Sequence, residues 1–204
     1  MFYLPEFNFH DVDVFGVLNR ISIIYIVCGI LFIFSDWKNH LYCFLGILVV
    51  YWITLNFIPV DGNPAGTMEP GINFTAWFDR LFIPLKILGY NWWNTEWPYS
   101  TFSSIATGLA GLLTGQLISK KRITENTVIL LIISGVSFVL LGSIWDWQFP
   151  INKKLWTSSY VLYTTGWAIL FLGISLWCID INGFKNNIFT RIGIILAATQ
   201  LQYT

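Results

Sequence analysis

Residues 127–147 read TVILLIISGVSFVLLGSIWDW, and the first charged side chain in that run is Asp146. A bilayer core about 30 Å thick is crossed by about 20 helical residues rising about 1.5 Å each, so this stretch has spanning length. Four more runs of the same character lie near 16–35, 40–58, 100–119 and 156–178. A shorter one, 188–201, ends in a polar stretch with Thr199, Gln200 and Gln202. No segment shows the period-two alternation that a membrane barrel strand requires. The fold expected is all-α: a polytopic transmembrane helical bundle of about five full spans plus one partial, forming a single domain over 1–204.

Composition leads to the same class. Hydrophobic residues make up 55% of the chain and charged residues 11%, against about 25% charged in soluble domains. Too few charges exist to cover a water-facing surface. The formal net charge is zero, which gives no reason to expect a nucleic-acid partner. Cys28, Cys43 and Cys178 all sit inside apolar runs and read as small core residues rather than a disulfide set. The start, MFYLPEFNFHDVDV, has no basic segment and carries Glu6, Asp11 and Asp13. It does not read as a cleavable signal. The first span is then expected either to act as an uncleaved signal or to follow upstream sequence.

Two features bear on packing and orientation. In the third run, Thr107, Gly111 and Gly115 recur every four residues with Gly108 beside them, a face on which a neighbouring helix is expected to approach closely. The strongest basic cluster is Lys120, Lys121 and Arg122, which the positive-inside rule places in the cytoplasm. The N-terminus, the 59–99 loop and the Phe149–Leu155 turn then face the other side. Lys153 and Lys154 lie there against the rule. The 59–99 loop is long for a bundle connection and rich in proline and aromatics. It is expected to pack on the bundle as an extracytoplasmic segment, with a short amphipathic or re-entrant helix over Trp77–Leu88.

Polar residues gather at the ends of the spans. Arg20 enters the first span beside Asn19 and reads either as a snorkelling end residue or as an anion or carbonyl contact. Asp79 and Arg80 are adjacent, so on a helix they do not face each other. Each is expected to bond elsewhere, as a structural clamp or as a site contact. The densest group is Asp146 to Tyr160, in which Asn152 and Lys153 could meet a carbonyl, a sugar hydroxyl or a phosphate, and Ser158, Ser159 and Tyr160 begin a helix whose N-terminus favours anions. A plain cap and turn is the alternative. His10 and His40 fall on opposite sides of the expected topology, with His40 read as interfacial. No metal cluster, phosphate loop or nucleophile elbow occurs. Asn73-Phe74-Thr75 reads as a chance match to a glycosylation acceptor.

The segment Phe149 to Ala168, FPINKKLWTSSYVLYTTGWA, closely resembles a signature of the transmembrane heparan-α-glucosaminide N-acetyltransferase family and its bacterial relatives. Three more stretches agree in order. Gly16-Val17-Leu18-Asn19-Arg20 resembles the family's GVLQR. Met68 to Pro84, with Asp79-Arg80, is similar to a family loop. Asp180-Ile181-Asn182-Gly183 resembles the family's Asp-x-x-Gly turn. The resemblance implies a multispanning acyltransferase of a bacterial inner membrane. Acetyl-CoA would be the co-substrate, a glycan or amino sugar the acceptor and membrane lipid the surroundings, with no permanently bound cofactor.

Two departures qualify that expectation. The family's His-x-x-Trp-Asn-Gly segment is absent, so the catalytic residue is unassigned and the chain is expected to be an incomplete, inactive portion. A second copy of the chain, or a partner chain supplying the missing spans, is the assembly this implies. Where the family has Asp-Pro-Glu-Gly-Leu-Leu-Ser-Thr, this chain has Asn94 to Thr101, which keeps Glu96, Ser100 and Thr101. The binding candidates are therefore Arg20, Asn19, Asp79, Arg80, Glu96, Asn152, Lys153, Trp156 and Ser158. The alternatives are a non-catalytic membrane subunit and a transporter-like bundle.

Overall fold

The computed structural model describes residues 17–82, 98–120 and 123–183. Six α-helices make up most of it: α1 (Val17–Phe34), α2 (Trp37–Phe57), α3 (Phe74–Phe82), α4 (Pro98–Lys120), α5 (Glu125–Trp145) and α6 (Ser158–Leu176). A π-helical turn, Trp177–Ile181, continues α6. Among the described residues no strand occurs, only an isolated bridge between Val60 and Asn63. Every helix but α3 is long and apolar enough to cross a membrane, which makes the chain an integral membrane protein. The expected sixth run, 188–201, lies outside the described residues.

Helix α4 is the hub, packing against α1, α2, α3 and α6. It carries little bulk on its packed faces: Ala106, Leu109 and Ala110 meet Phe44 and Leu48 of α2 and Val161 of α6 in the mid-bundle core. A second core lies at the end of the bundle where α2 finishes and α4 and α6 begin. There Tyr51, Leu55, Phe74, Tyr99, Phe149 and Leu155 are buried together. Aromatic rings join α3 to α4, with Phe78 and Tyr99 centroids 4.7 Å apart.

The close helix crossings differ from the expectation. A Cβ at Gly111 or Gly115 would meet nothing within 4 Å, so that face is open. Gly108 is the α4 glycine in contact, where a Cβ would lie 2.5 Å from Ile24 and 2.8 Å from Cys28 of α1. The tightest backbone approach is between α5 and α6, the most extensively packed pair. A Cβ on Gly142 would be 2.7 Å from the Tyr163 nitrogen, and one on Gly166 would be 2.6 Å from the Val139 nitrogen. Gly135 and Gly142 are seven apart, as are Gly166 and Gly173. That spacing returns to the same face after two turns, so each helix offers a two-glycine seam to the other.

His40, in the first turn of α2, is fully buried within the bundle. Its Nε2 lies 3.0 Å from the Leu31 carbonyl, which also accepts the Ser35 hydroxyl at 2.7 Å, so it closes the C-terminal end of α1 against α2. The short helix of the long loop starts at Phe74 rather than Trp77, because Asn73 caps it. The Asn73 side-chain oxygen accepts the Ala76 N–H at 2.8 Å, and its amide nitrogen donates to the Glu69 carbonyl at 2.9 Å. That buried asparagine explains the Asn-x-Thr sequence as a helix cap. Residues 83–97 lie outside the described residues, including Glu96 and most of the loop tryptophans.

Candidate functional site

Arg20 is buried on the first turn of α1 although its neighbours Val17, Leu18 and Asn19 are exposed. A buried guanidinium needs partners, and the fold brings them from residues far apart in sequence. Its Nη2 donates to the Ser100 hydroxyl of α4 at 2.5 Å. Its guanidinium carbon lies 5.1 Å from the centroid of the Trp156 ring, a cation–π arrangement favoured where both groups are shielded from water. Asp79 of α3 is close enough for its charge to interact favourably with that of Arg20.

Trp156 is held firmly. Its indole nitrogen donates to the Thr107 hydroxyl at 3.1 Å, and its carbonyl accepts the Ser103 hydroxyl at 2.6 Å. Its backbone sits at φ 55°, in the left-handed region that a bulky side chain enters at a cost of about 1–2 kcal/mol. Such strain persists only where surrounding contacts over-determine it and is concentrated at functional positions. No sequence signal announces this conformation, since nothing in Leu155-Trp156-Thr157 is a turn residue of the glycine or asparagine kind.

The turn before α6 is knit by its own side chains. Asp146 accepts the Ile151 N–H at 2.6 Å, Asn152 accepts the Lys154 N–H at 2.9 Å, and the Thr157 hydroxyl accepts the Asn152 N–H at 3.0 Å. The Tyr51 hydroxyl donates to the Leu155 carbonyl, pinning the turn to α2. As a result Lys153 and Lys154 are exposed on a fixed frame.

Asp79 is fully buried, and its Oδ1 accepts the Tyr99 N–H at 3.0 Å. It therefore supplies an acceptor to the first turn of α4 from another helix, where the open N–H groups and the helix dipole favour a carboxylate. Burial pushes its carboxyl pKa up to about 7, with the Tyr99 N–H and the Arg20 charge pulling the other way. Arg80 turns aside, donating to the Gly71 carbonyl at 2.8 Å and pairing with Asp61 at 2.9 Å. It braces the loop before α3.

These contacts sort the sequence candidates. Arg20, Lys153 and Trp156 line one cleft of about 770 Å³ between α1, α4 and the turn. Asp79 supports it from behind through Tyr99, the neighbour of Ser100. Asn152 shapes the turn, and Ser158 donates its hydroxyl to the Leu48 carbonyl at 2.8 Å; neither lines the cleft. Asn19 is exposed beside Arg20. Ser104 and Thr107 also line the cleft; the sequence marks Thr107 only as part of a packing face and Ser104 not at all, because a hydroxyl in an apolar helix looks like filler.

The fold and site together define a polytopic α-helical membrane protein with a cation-rimmed cleft at one end of its bundle. No family model matches the sequence, and no curated protein matches it either.

Proposed function

We propose that this chain is the membrane-embedded part of an acetyltransferase. It would move an acetyl group from acetyl-CoA to an amino-sugar-type acceptor across a bacterial cytoplasmic membrane. One observation carries the reading. Two stretches that resemble the acetyltransferase family, widely spaced along the chain, meet at Arg20: its own segment and the signature segment through Trp156. Ser100, a residue kept in the otherwise divergent stretch before and into α4, accepts the hydrogen bond of Arg20. The Met68–Pro84 stretch adjoins them through Asp79, whose Oδ1 accepts the N–H of Tyr99, the neighbour of Ser100.

In the reaction an acceptor amine attacks the thioester carbonyl. A C–N bond forms, the C–S bond breaks, and the coenzyme leaves as its thiol, taking up a proton that the amine gives up. The step needs a base and a positive or hydrogen-bonding group where the oxyanion develops. Arg20, fixed by Ser100 and Trp156, and Lys153 on the rigid turn are the cationic groups placed to polarise the carbonyl or orient the acceptor.

The test is calorimetric titration of acetyl-CoA into the detergent-purified chain, alongside Arg20→Lys and Ser100→Ala. Saturable binding, weakened several-fold by Arg20→Lys, is the expected result. A chain that elutes as a folded species yet gives no saturable heat with acetyl-CoA refutes the proposal.

A further inference from the structure

The cleft has two unlike halves. Its rim carries Arg20, Lys153 and Lys154, and among the described residues that line it there is no carboxylate. Below the rim the walls are Ile21, Ile24 and Cys28 of α1 and Gly108 of α4. The hydroxyls at that level already have partners: Ser104 donates to the Ser100 carbonyl at 2.9 Å and Thr107 accepts from Trp156. A sugar ring buried there would lose its hydration with few groups to replace it. A hydrocarbon chain would lose nothing. The α1 wall is also open toward the bilayer, with Ile21 55% and Tyr25 80% exposed. A ligand could therefore enter sideways from lipid. From Arg20 to Cys28 the helix runs about 12 Å at its ordinary rise, deep enough for a substantial length of chain.

We infer that the cleft holds an anionic amphiphile, with a phosphate headgroup on the rim of Arg20, Lys153 and Lys154 and a hydrocarbon chain against α1 and α4 below. A phosphate accepts several charge-assisted hydrogen bonds at once, which suits two successive lysines presented by a rigid turn beside a buried arginine. The role of this ligand rests on the acetyl-transfer reading, in which it is the lipid anchor of the acceptor. Its binding does not.

The experiment titrates dodecyl phosphate, butyl phosphate and inorganic phosphate into the full chain in neutral maltoside micelles. The Lys153→Gln/Lys154→Gln double variant, both positions being exposed, is run in parallel once size-exclusion chromatography shows that it elutes as the parent does. Saturable binding of dodecyl phosphate is expected, at least tenfold tighter than butyl phosphate and at least tenfold weaker in the double variant. Equal affinity for inorganic and dodecyl phosphate overturns the inference, since the apolar wall would then contribute nothing. Unchanged binding in the double variant also overturns it, as simple partition into the micelle. Dodecyl phosphate binding without acetyl-CoA binding leaves the amphiphile site standing and removes acetyl transfer; the opposite pair of results does the reverse.

Discussion

Replacing Gly142 by alanine places a Cβ 2.7 Å from the Tyr163 nitrogen and 3.0 Å from both the Ser159 carbonyl oxygen and the Tyr163 Cα. All three atoms are backbone, so no side chain can swing aside. The methyl group lies about 0.7 Å inside ordinary contact, and the crossing can be relieved by moving α5 away from α6. A gap of about 0.5–1 Å forfeits a quarter to a half of the dispersion attraction of the atoms that separate, and overpacking of this kind costs about 1–3 kcal/mol. Gly111→Ala is the internal control. It makes the same chemical change in an apolar helix where the new methyl meets nothing within 4 Å, so the helix-propensity gain of up to about 1 kcal/mol remains. Thermal unfolding followed by size-exclusion chromatography in detergent should place Gly142→Ala on the order of 5 °C below the parent, with Gly111→Ala level or slightly above. Equal loss in both variants would refute the close-packed seam, as would a Gly142→Ala protein as stable as the parent.

Asp79 gives a pH signature. Its buried carboxyl is raised to about 7 from an ordinary value of 3.8, so between those values the native state holds a proton that the unfolded chain has released. Stability should therefore rise as pH falls from 8 through 7 and go on rising until about pH 4, by roughly 1.4 kcal/mol per unit within that window. Asp79→Asn, which retains an acceptor for the Tyr99 N–H, should flatten the slope. Melting curves from pH 5 to 8 check this, and parallel parent and variant profiles would count against it. Tyr51→Phe removes the donor to the Leu155 carbonyl and leaves a buried acceptor unmet, a loss of about 1–3 kcal/mol. Protease sensitivity at Lys153 and Lys154 should rise in that variant, and an unchanged cleavage rate would mean that the turn is held without Tyr51.

Hydropathy is a one-dimensional property, and the spans were legible for that reason. A charge-free run of bilayer length has few other places to go, and the spanning helices at Val17–Phe34, Trp37–Phe57, Tyr99–Lys120, Glu125–Trp145 and Ser158–Ile181 lie within a few residues of the runs read from the sequence. The separate destinations of Asp79 and Arg80 were legible too, because neighbouring residues on a helix point apart. Arg20, Lys153 and Trp156 could be named as polar or aromatic groups at span ends, but not as members of one cleft.

Tertiary structure decided the rest. Small residues in α4, α5 and α6 recur at helical spacings that are equally good on paper. Only the arrangement of the bundle leaves Gly111 and Gly115 against open space while Gly142 and Gly166 press on a neighbouring backbone. Asn152 and Ser158 resemble ligand contacts as residue types, yet the turn and the α2 backbone claim their side-chain oxygens. The left-handed Trp156 has no sequence mark, because its strain is sustained by Ser103, Thr107 and Arg20 from other helices. The sequence alone determined which segments enter the membrane, since burial in lipid depends on each segment's own composition. Which side chains meet at the cleft depends on how the helices cross, and crossing is settled by contacts between residues as many as 136 positions apart, from Arg20 to Trp156.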